Sequence, residues 1–221
     1  KHIFWIASYP KSGSTLLRAI ISSLFFSTDG SFTFELIKSI RTLELKKRLN
    51  FIKESNPDNF LSLDKLSVLF DYWLDIQSKL NLGFKGDFMF IKTHHALTKF
   101  KDKPFSIEEY CRGYLYILRD PRDVAISWAN HANISLSESI DFLTNDLAAT
   151  RWNESLSALI PKEVQPALIL SSWDKNVNSW TQNNWKCPKM IIRFEDLVYD
   201  KENMIRKIIN FFYKNYKFNS L

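Results

Sequence analysis

The chain has 221 residues, 45% hydrophobic and 24% charged, which is ordinary for a soluble globular protein and enough for one core; a single domain over residues 1–221 is expected. The net charge of +6 favours partners carrying phosphate or sulfate, although charge alone fits a nucleic-acid binder equally, and the longest basic run, Lys46-Lys47-Arg48, falls short of a polybasic tail. No apolar stretch nears the ~18 residues of a membrane span, none reads as a signal peptide, and the two cysteines, Cys111 and Cys187, lack the spacing of a zinc site or a disulfide framework, though two thiols can still pair.

In chain order, His2 to Ser8 is an apolar run of the length of a strand buried on both faces. Tyr9-Pro-Lys-Ser-Gly-Ser-Thr15 follows as a tight loop, and Leu16 to Leu24 reads as a helix. Residues 32 to 82 read as helical with polar interruptions; Asp64 is expected to cap a helix carrying Leu66, Leu69, Phe70, Trp73 and Leu74 on one face. Asp87 to Lys92 and Gly113 to Leu118 are two more strands, and Pro121 starts a helix through about His131. A helix is expected from Ala167 to Asn183 with Trp173, Val177 and Trp180 aligned, then a strand from Met190 to Phe194 and a closing helix from Lys201 to Tyr213. Alternating strands and helices imply an α/β fold with a mostly parallel sheet covered on both faces. Ligands of such folds sit beyond the carboxyl ends of the strands. Here each strand ends in polar residues: the loop at Lys11, Thr93-His94, Arg119, and Glu195-Asp196.

The loop after the first strand hands over to a helix N-terminus, where free backbone N–H groups and the helix dipole attract anions. Gly13 lets the backbone approach closely, Ser14 and Thr15 add hydroxyls, and Lys11 adds a full charge that can stabilise a leaving phosphate. The nucleoside-triphosphate motif places its lysine directly after the second glycine; here Lys11 precedes the glycine by two positions. By itself the pattern fits a strand–turn–helix junction with a solvated lysine equally well. Arg119, at the end of a strand, can hold a second phosphate with its planar fork, or it can pair with Asp123 or Asp120, with Ser127 a packing residue.

Together these segments resemble the cytosolic-type, PAPS-dependent sulfotransferases, where PAPS is 3′-phosphoadenosine 5′-phosphosulfate. Tyr9 to Thr15 is similar to the family's Y-P-K-S-G-T-T phosphosulfate loop, Arg119-Asp-Pro-Arg-Asp123 with Ser127 to its 3′-phosphate segment, and Phe88 to His94 to its F-x-K-T-H strand end. The resemblance implies a P-loop NTPase-like, three-layer α/β/α fold. It implies that Lys11, Ser12, Gly13, Ser14 and Thr15 bind the 5′ end of PAPS, and that Arg119 and Ser127 bind its 3′-phosphate. It also makes His94 the general base and places Lys92 beside the transferring sulfonate. An imidazole, with an ordinary pKa near ~6.5, suits proton abstraction at neutral pH. His95 would face away from His94 on a continuing strand and is expected to be structural.

Softer matches are Ser171 to Trp180, similar to the family's G-S-W-x-x-H-V helix and assigned to packing, and Arg193 to Leu197, which would place Phe194 near adenine. Leu16 stands where the family usually has a tryptophan. Nothing resembles the family's basic R-K-G-x-x-G-x-W-K segment, and the chain is expected to lack it. The expected activity is transfer of a sulfonate from PAPS to a small-molecule hydroxyl, releasing PAP (adenosine 3′,5′-bisphosphate), without a metal. The chain is expected in the cytoplasm, with neither nucleic acid nor membrane as partner. A P-loop small-molecule kinase and a catalytically weak PAP- or PAPS-binding pseudoenzyme are the competing readings. Residues 32 to 85 and 130 to 165 are expected to shape the acceptor pocket.

Overall fold

The computed structural model describes residues 2–43, 63–151 and 167–216. In chain order its elements are β1 (Ile3–Ser8), α1 (Ser14–Phe26), a 3-10 turn at Leu36–Ser39, β2 (Arg41–Thr42), α2 (Leu63–Gly83), β3 (Met89–Thr93), β4 (Lys99–Phe100) and β5 (Lys103–Pro104). There follow β6 (Cys111–Leu118), α3 (Pro121–Ala132), α4 (Leu136–Thr144), β7 (Ala149–Arg151), β8 (Ala167–Ile169), α5 (Trp173–Thr181), β9 (Lys189–Arg193), α6 (Phe194–Tyr199) and α7 (Lys201–Tyr216).

Every residue of β1 is buried, so the strand must lie inside a sheet with cover on both sides. It pairs in parallel with β3 on one edge and β6 on the other. β2 adds to β3 and β9 to β6, both parallel, so the described residues form a five-stranded sheet in the order β2-β3-β1-β6-β9. Strand side chains alternate between faces, and that alternation sorts the core. Ile3, Trp5 and Ala7 pack with Phe70, Trp73 and Ile76 of α2 and with Trp180 of α5. Phe4 and Ile6 pack on the opposite face with Leu17 and Ile21 of α1 and Met204, Ile208 and Phe212 of α7. Helices therefore cover both faces, giving the expected three-layer α/β/α architecture. A third cluster gathers Val124 of α3, Leu143 of α4 and Leu168 of β8 around Tyr9, just past the end of β1.

The departures from the expected elements have local causes. Within residues 32 to 82, the chain forms a short turn and an edge strand before α2, and residues 44–62 lie outside the described residues. β2 is too short to carry a periodic signal, and its pairing with β3 creates it. Asp64 is a residue of α2 and not a cap before it. The expected helix over Ala167 to Asn183 divides: Ala167–Ile169 pairs antiparallel with β7, and the helix starts only at Trp173. Ser171, with φ +59°, turns the chain between them. Its aromatic face divides as well, since Val177 and Trp180 pack against the sheet while Trp173 joins the Tyr9 cluster. Phe194 belongs to α6, the strand having ended at Arg193.

Candidate active site

Because all five sheet strands run parallel, their carboxyl ends share one edge, and the polar residues after β1, β3, β6 and β9 converge there. The loop after β1 turns through two left-handed residues, Lys11 at φ +64° and Gly13 at φ +98°. Gly13 is also the residue before α1. A side chain there would overlap the Phe194 ring, with Cε2 at 2.9 Å, and meet Ile117 Cδ1 at 3.3 Å. The first intrahelical bond is Leu17 N–H to Gly13 O at 3.1 Å, which leaves the N–H groups of the first turn without helical partners. No acidic side chain occupies that turn and no side chain caps it. Ser12 is fully buried and its Oγ has no partner among the described residues. Donors are therefore present at this helix start and no carboxylate competes for them, an arrangement that suits an anion.

Arg119, one residue past β6, turns back over this loop. Its guanidinium donates to Lys11 O at 3.3 Å and lies over the Phe194 ring at 4.6 Å. Asp123 is 3.8 Å away, a loose contact, while Asp120 is engaged by Arg122 at 2.6 Å and 2.9 Å. Arg119 Nε is buried and unpartnered among the described residues. Glu195 Oε1 accepts the Asp120 N–H at 2.8 Å, fixing the corner from which Arg119 projects. Ser127 sits half-buried about two turns into α3. Phe194 thus touches Gly13 on the loop and Arg119 on the second corner, tying the two together.

His94 follows the last residue of β3. Its Nδ1 lies 2.7 Å from Ser8 O and 3.1 Å from Ser8 Oγ, at the end of β1. A carbonyl only accepts, so Nδ1 carries the proton and Nε2 keeps its lone pair. Burial, and then the Lys92 charge, push the His94 pKa well below the usual histidine value, against a smaller opposing effect of the Ser8 bond. The ring is therefore neutral at pH 7. Lys92 itself is nearly fully buried at the end of β3.

His95 turns into the core, although β3 has already ended at Thr93. It is fully buried, stacked on Phe105 at 4.4 Å and edge-on to Trp73 at 5.1 Å. Its Nδ1 accepts from Ile169 N at 3.3 Å, and burial with the Lys92 charge lowers its pKa to about 3. It is a core residue.

Three residues near the site were absent from the expected set. Arg18, one helical turn after Ser14, donates to Ile37 O and Ile40 O at 3.0 Å each, and its charge contributes to lowering the His94 pKa. A cation at i+4 from a phosphate-loop serine was the readable signal. His131 of α3 has its pKa lowered by burial and then by the Lys11 charge. Asn176, taken as packing, is a fully buried hydrogen-bonding residue under His94. Its signal was an amide among the tryptophans of α5. Among the described residues no three His, Cys, Asp or Glu side chains cluster as metal ligands would, and no helix is long and apolar enough to cross a membrane.

Comparison with known proteins bears on the fold and the family. Solved structures that match the fold include a mouse sulfotransferase complexed with PAP and a retinol dehydratase complexed with retinol and PAP. The first has a TM-score of 0.51 and 18% identity, covering 96% of this chain and 57% of that one. The second has a TM-score of 0.52 and 20% identity, covering 95% and 59%. Luciferin sulfotransferase of Photinus pyralis is 22% identical over 217 residues, 98% of this chain and 52% of the relative, so the chain spans about half the length of the curated relative it matches. The description of the family as a whole, the sulfotransferase domain, matches residues 1–220. With that match running nearly end to end, the chain belongs to the sulfotransferase domain family.

Proposed function

We propose that this chain transfers a sulfonate group from PAPS to a hydroxyl of a small-molecule acceptor. The observation that carries this reading is the bond from His94 Nδ1 to Ser8 O, which keeps the proton on Nδ1 and leaves the Nε2 lone pair available next to the start of the loop at Lys11. The residues present fit the donor nucleotide. The orphaned Ser12 Oγ and the first-turn N–H groups suit an anion at the 5′ end, and the unpartnered Arg119 Nε suits a second anion at the 3′ position. The mouse sulfotransferase and the retinol dehydratase of similar fold are both complexes with PAP.

PAPS supplies a sulfonate already bonded to a good leaving group, a phosphate oxygen. In this reading Ser12, Gly13, Ser14 and Thr15 hold the 5′ end, Arg119 and Ser127 the 3′-phosphate, and Phe194 lies near adenine. His94 Nε2 takes the acceptor's hydroxyl proton as that oxygen bonds to sulfur. The bond from sulfur to the bridging oxygen breaks, its electron pair stays on the phosphate, and Lys11 neutralises the charge. Lys92 neighbours the sulfonate in transit. Positioning and fixed positive charge do most of this work. Burial first, and then the Lys92 charge with a smaller effect of Arg18, lowers the His94 pKa in the free protein; a bound anion offsets the two charges and raises its basicity.

Calorimetric titration with PAP and with ATP tests the two anion sites. PAP is expected to bind at least about tenfold more tightly, the equivalent of ~1.4 kcal/mol from the 3′-phosphate; equal affinity removes the Arg119 site. Radiolabelled PAPS incubated with a panel of phenols and alcohols tests transfer. His94→Ala is expected to lose about 10²- to 10⁴-fold in turnover while still binding PAP, and full activity in that variant removes His94 as the base.

A further inference from the structure

The segment that carries His94 leaves β3 and does not continue as a strand, so something other than the sheet must hold its backbone. Helix α5 does so at successive points. Asn176 Nδ2 donates to His94 O at 3.2 Å and Trp180 Nε1 donates to His95 O at 2.9 Å. Leu97 N–H donates to Ser179 Oγ at 2.9 Å. Positions 176, 179 and 180 stand three and four apart and so share one face of the helix. Adjacent β8 adds Ile169 O, which accepts from Ala96 N at 2.9 Å.

The same helix is pinned to β6 by two tyrosines. Tyr116 Oη donates to Asn176 Oδ1 at 2.8 Å, and Tyr114 Oη donates to Trp180 O at 2.7 Å. Two residues along a strand advance about 6.6 Å and four along a helix about 6 Å, so the spacings match. The helix start is tied down separately, by Ser172 Oγ to Asp146 Oδ1 at 2.8 Å. Asn176 is fully buried and spends its amide on three partners: Tyr116, His94 O, and Leu170 O at 2.8 Å.

We propose that α5 is the positioning element for the base, with Asn176, Ser179 and Trp180 forming a polar face that carries the position of β6 to the backbone of His94–Leu97. This rests on the reading of His94 as the general base. Asn176 and Trp180 are positioning residues, acting through the main chain of His94 and His95. Since β6 also leads into Arg119, one strand sets both the second anion corner and, through α5, the imidazole. Ser8 O then completes the hold on the ring itself.

The test compares wild type with Asn176→Ala, Ser179→Ala and Trp180→Phe by ¹⁵N NMR of the imidazoles, His94→Ala identifying the resonance, and by calorimetry with PAP. Trp180→Phe keeps a six-membered aromatic ring in the core while removing the Nε1 donor together with the five-membered ring that carries it, so it gives a second, independent reading if Asn176→Ala fails to fold. The wild type is expected to show one His94 tautomer, with the proton on Nδ1. Asn176→Ala and Trp180→Phe are expected to give a tautomer mixture and a titration shifted toward the ordinary histidine value, with PAP affinity unchanged within about threefold. A His94 tautomer and titration unchanged in both variants overturn the proposal. A wild-type His94 that already titrates normally with mixed tautomers instead overturns the underlying reading of a fixed base.

Discussion

Replacing Gly13 by alanine puts the site's tightest contact to the test. Gly13 has φ +98°, a conformation that costs an L-residue roughly 1–2 kcal/mol. The new Cβ would also overlap the Phe194 ring, with Cε2 at 2.9 Å, and press on Ile117 Cδ1 at 3.3 Å. The ring cannot swing away freely, because the Arg119 guanidinium rests on it at 4.6 Å. Overpacking of this kind costs about 1–3 kcal/mol, so the sum is roughly 2–5 kcal/mol. For a chain of this size that lowers Tm by roughly 4 to 20 °C. Gly30 provides the control, since it has φ +75° but nothing within 4 Å of an added Cβ. Gly30→Ala should show the strain alone, about 1–2 kcal/mol. Thermal and urea unfolding of both variants, with Gly13→Ala repeated in a Phe194→Ala background, separates strain from contact. The Phe194→Ala background should recover about 1–3 kcal/mol of the Gly13→Ala cost. If Gly13→Ala is no worse than Gly30→Ala, or costs the same with Phe194 removed, the close approach of loop and ring is not what demands glycine.

Two further outcomes follow from the same geometry. His94 and His95 have folded-state pKa values below the usual 6.5, that of His95 at about 3, so between these limits the unfolded chain binds protons that the folded chain does not. Stability should be complete above pH 6.5 and fall as pH drops, by up to ~1.4 kcal/mol per pH unit for each histidine; a urea midpoint that stays flat from pH 7 to 5 refutes this. Arg119→Lys keeps the charge but gives up the fork and the stacking on Phe194. PAP affinity by calorimetry should fall about 10- to 100-fold, equivalent to losing ~1.5–3 kcal/mol of charge-assisted hydrogen bonding, and an unchanged affinity argues against Arg119 as a phosphate ligand.

Much of the fold was legible because its signals are local. The unbroken apolar run of β1 marks a strand buried on both faces, and Pro121 at a first helical position, with Asp120 accepting from Arg122 N, marks the start of α3. The elements that were misread depend on partners distant in sequence. β2 is two residues long and exists through its pairing with β3, and β8 exists through its pairing with β7. The Ser171 turn is held by its Oγ on Asp146 O, twenty-five positions away.

The candidate site divides along the same line. Residue types and order in Tyr9 to Thr15, at Lys92 to His94, and at Arg119 already picked out the strand ends that the fold gathers on one edge, because each is a short polar run directly after an apolar strand. Which way Arg119 turns, which histidine tautomer is held, and why Gly13 cannot be larger were decided by Lys11 O, Ser8 O and Phe194, residues 108, 86 and 181 positions away from the groups they constrain. The role of Asn176 belongs to the same class. An amide among tryptophans reads as packing until β6, β8 and the backbone after β3 are brought around it, since the partners of a buried polar group are chosen by the packing of whole elements and not by its sequence neighbours.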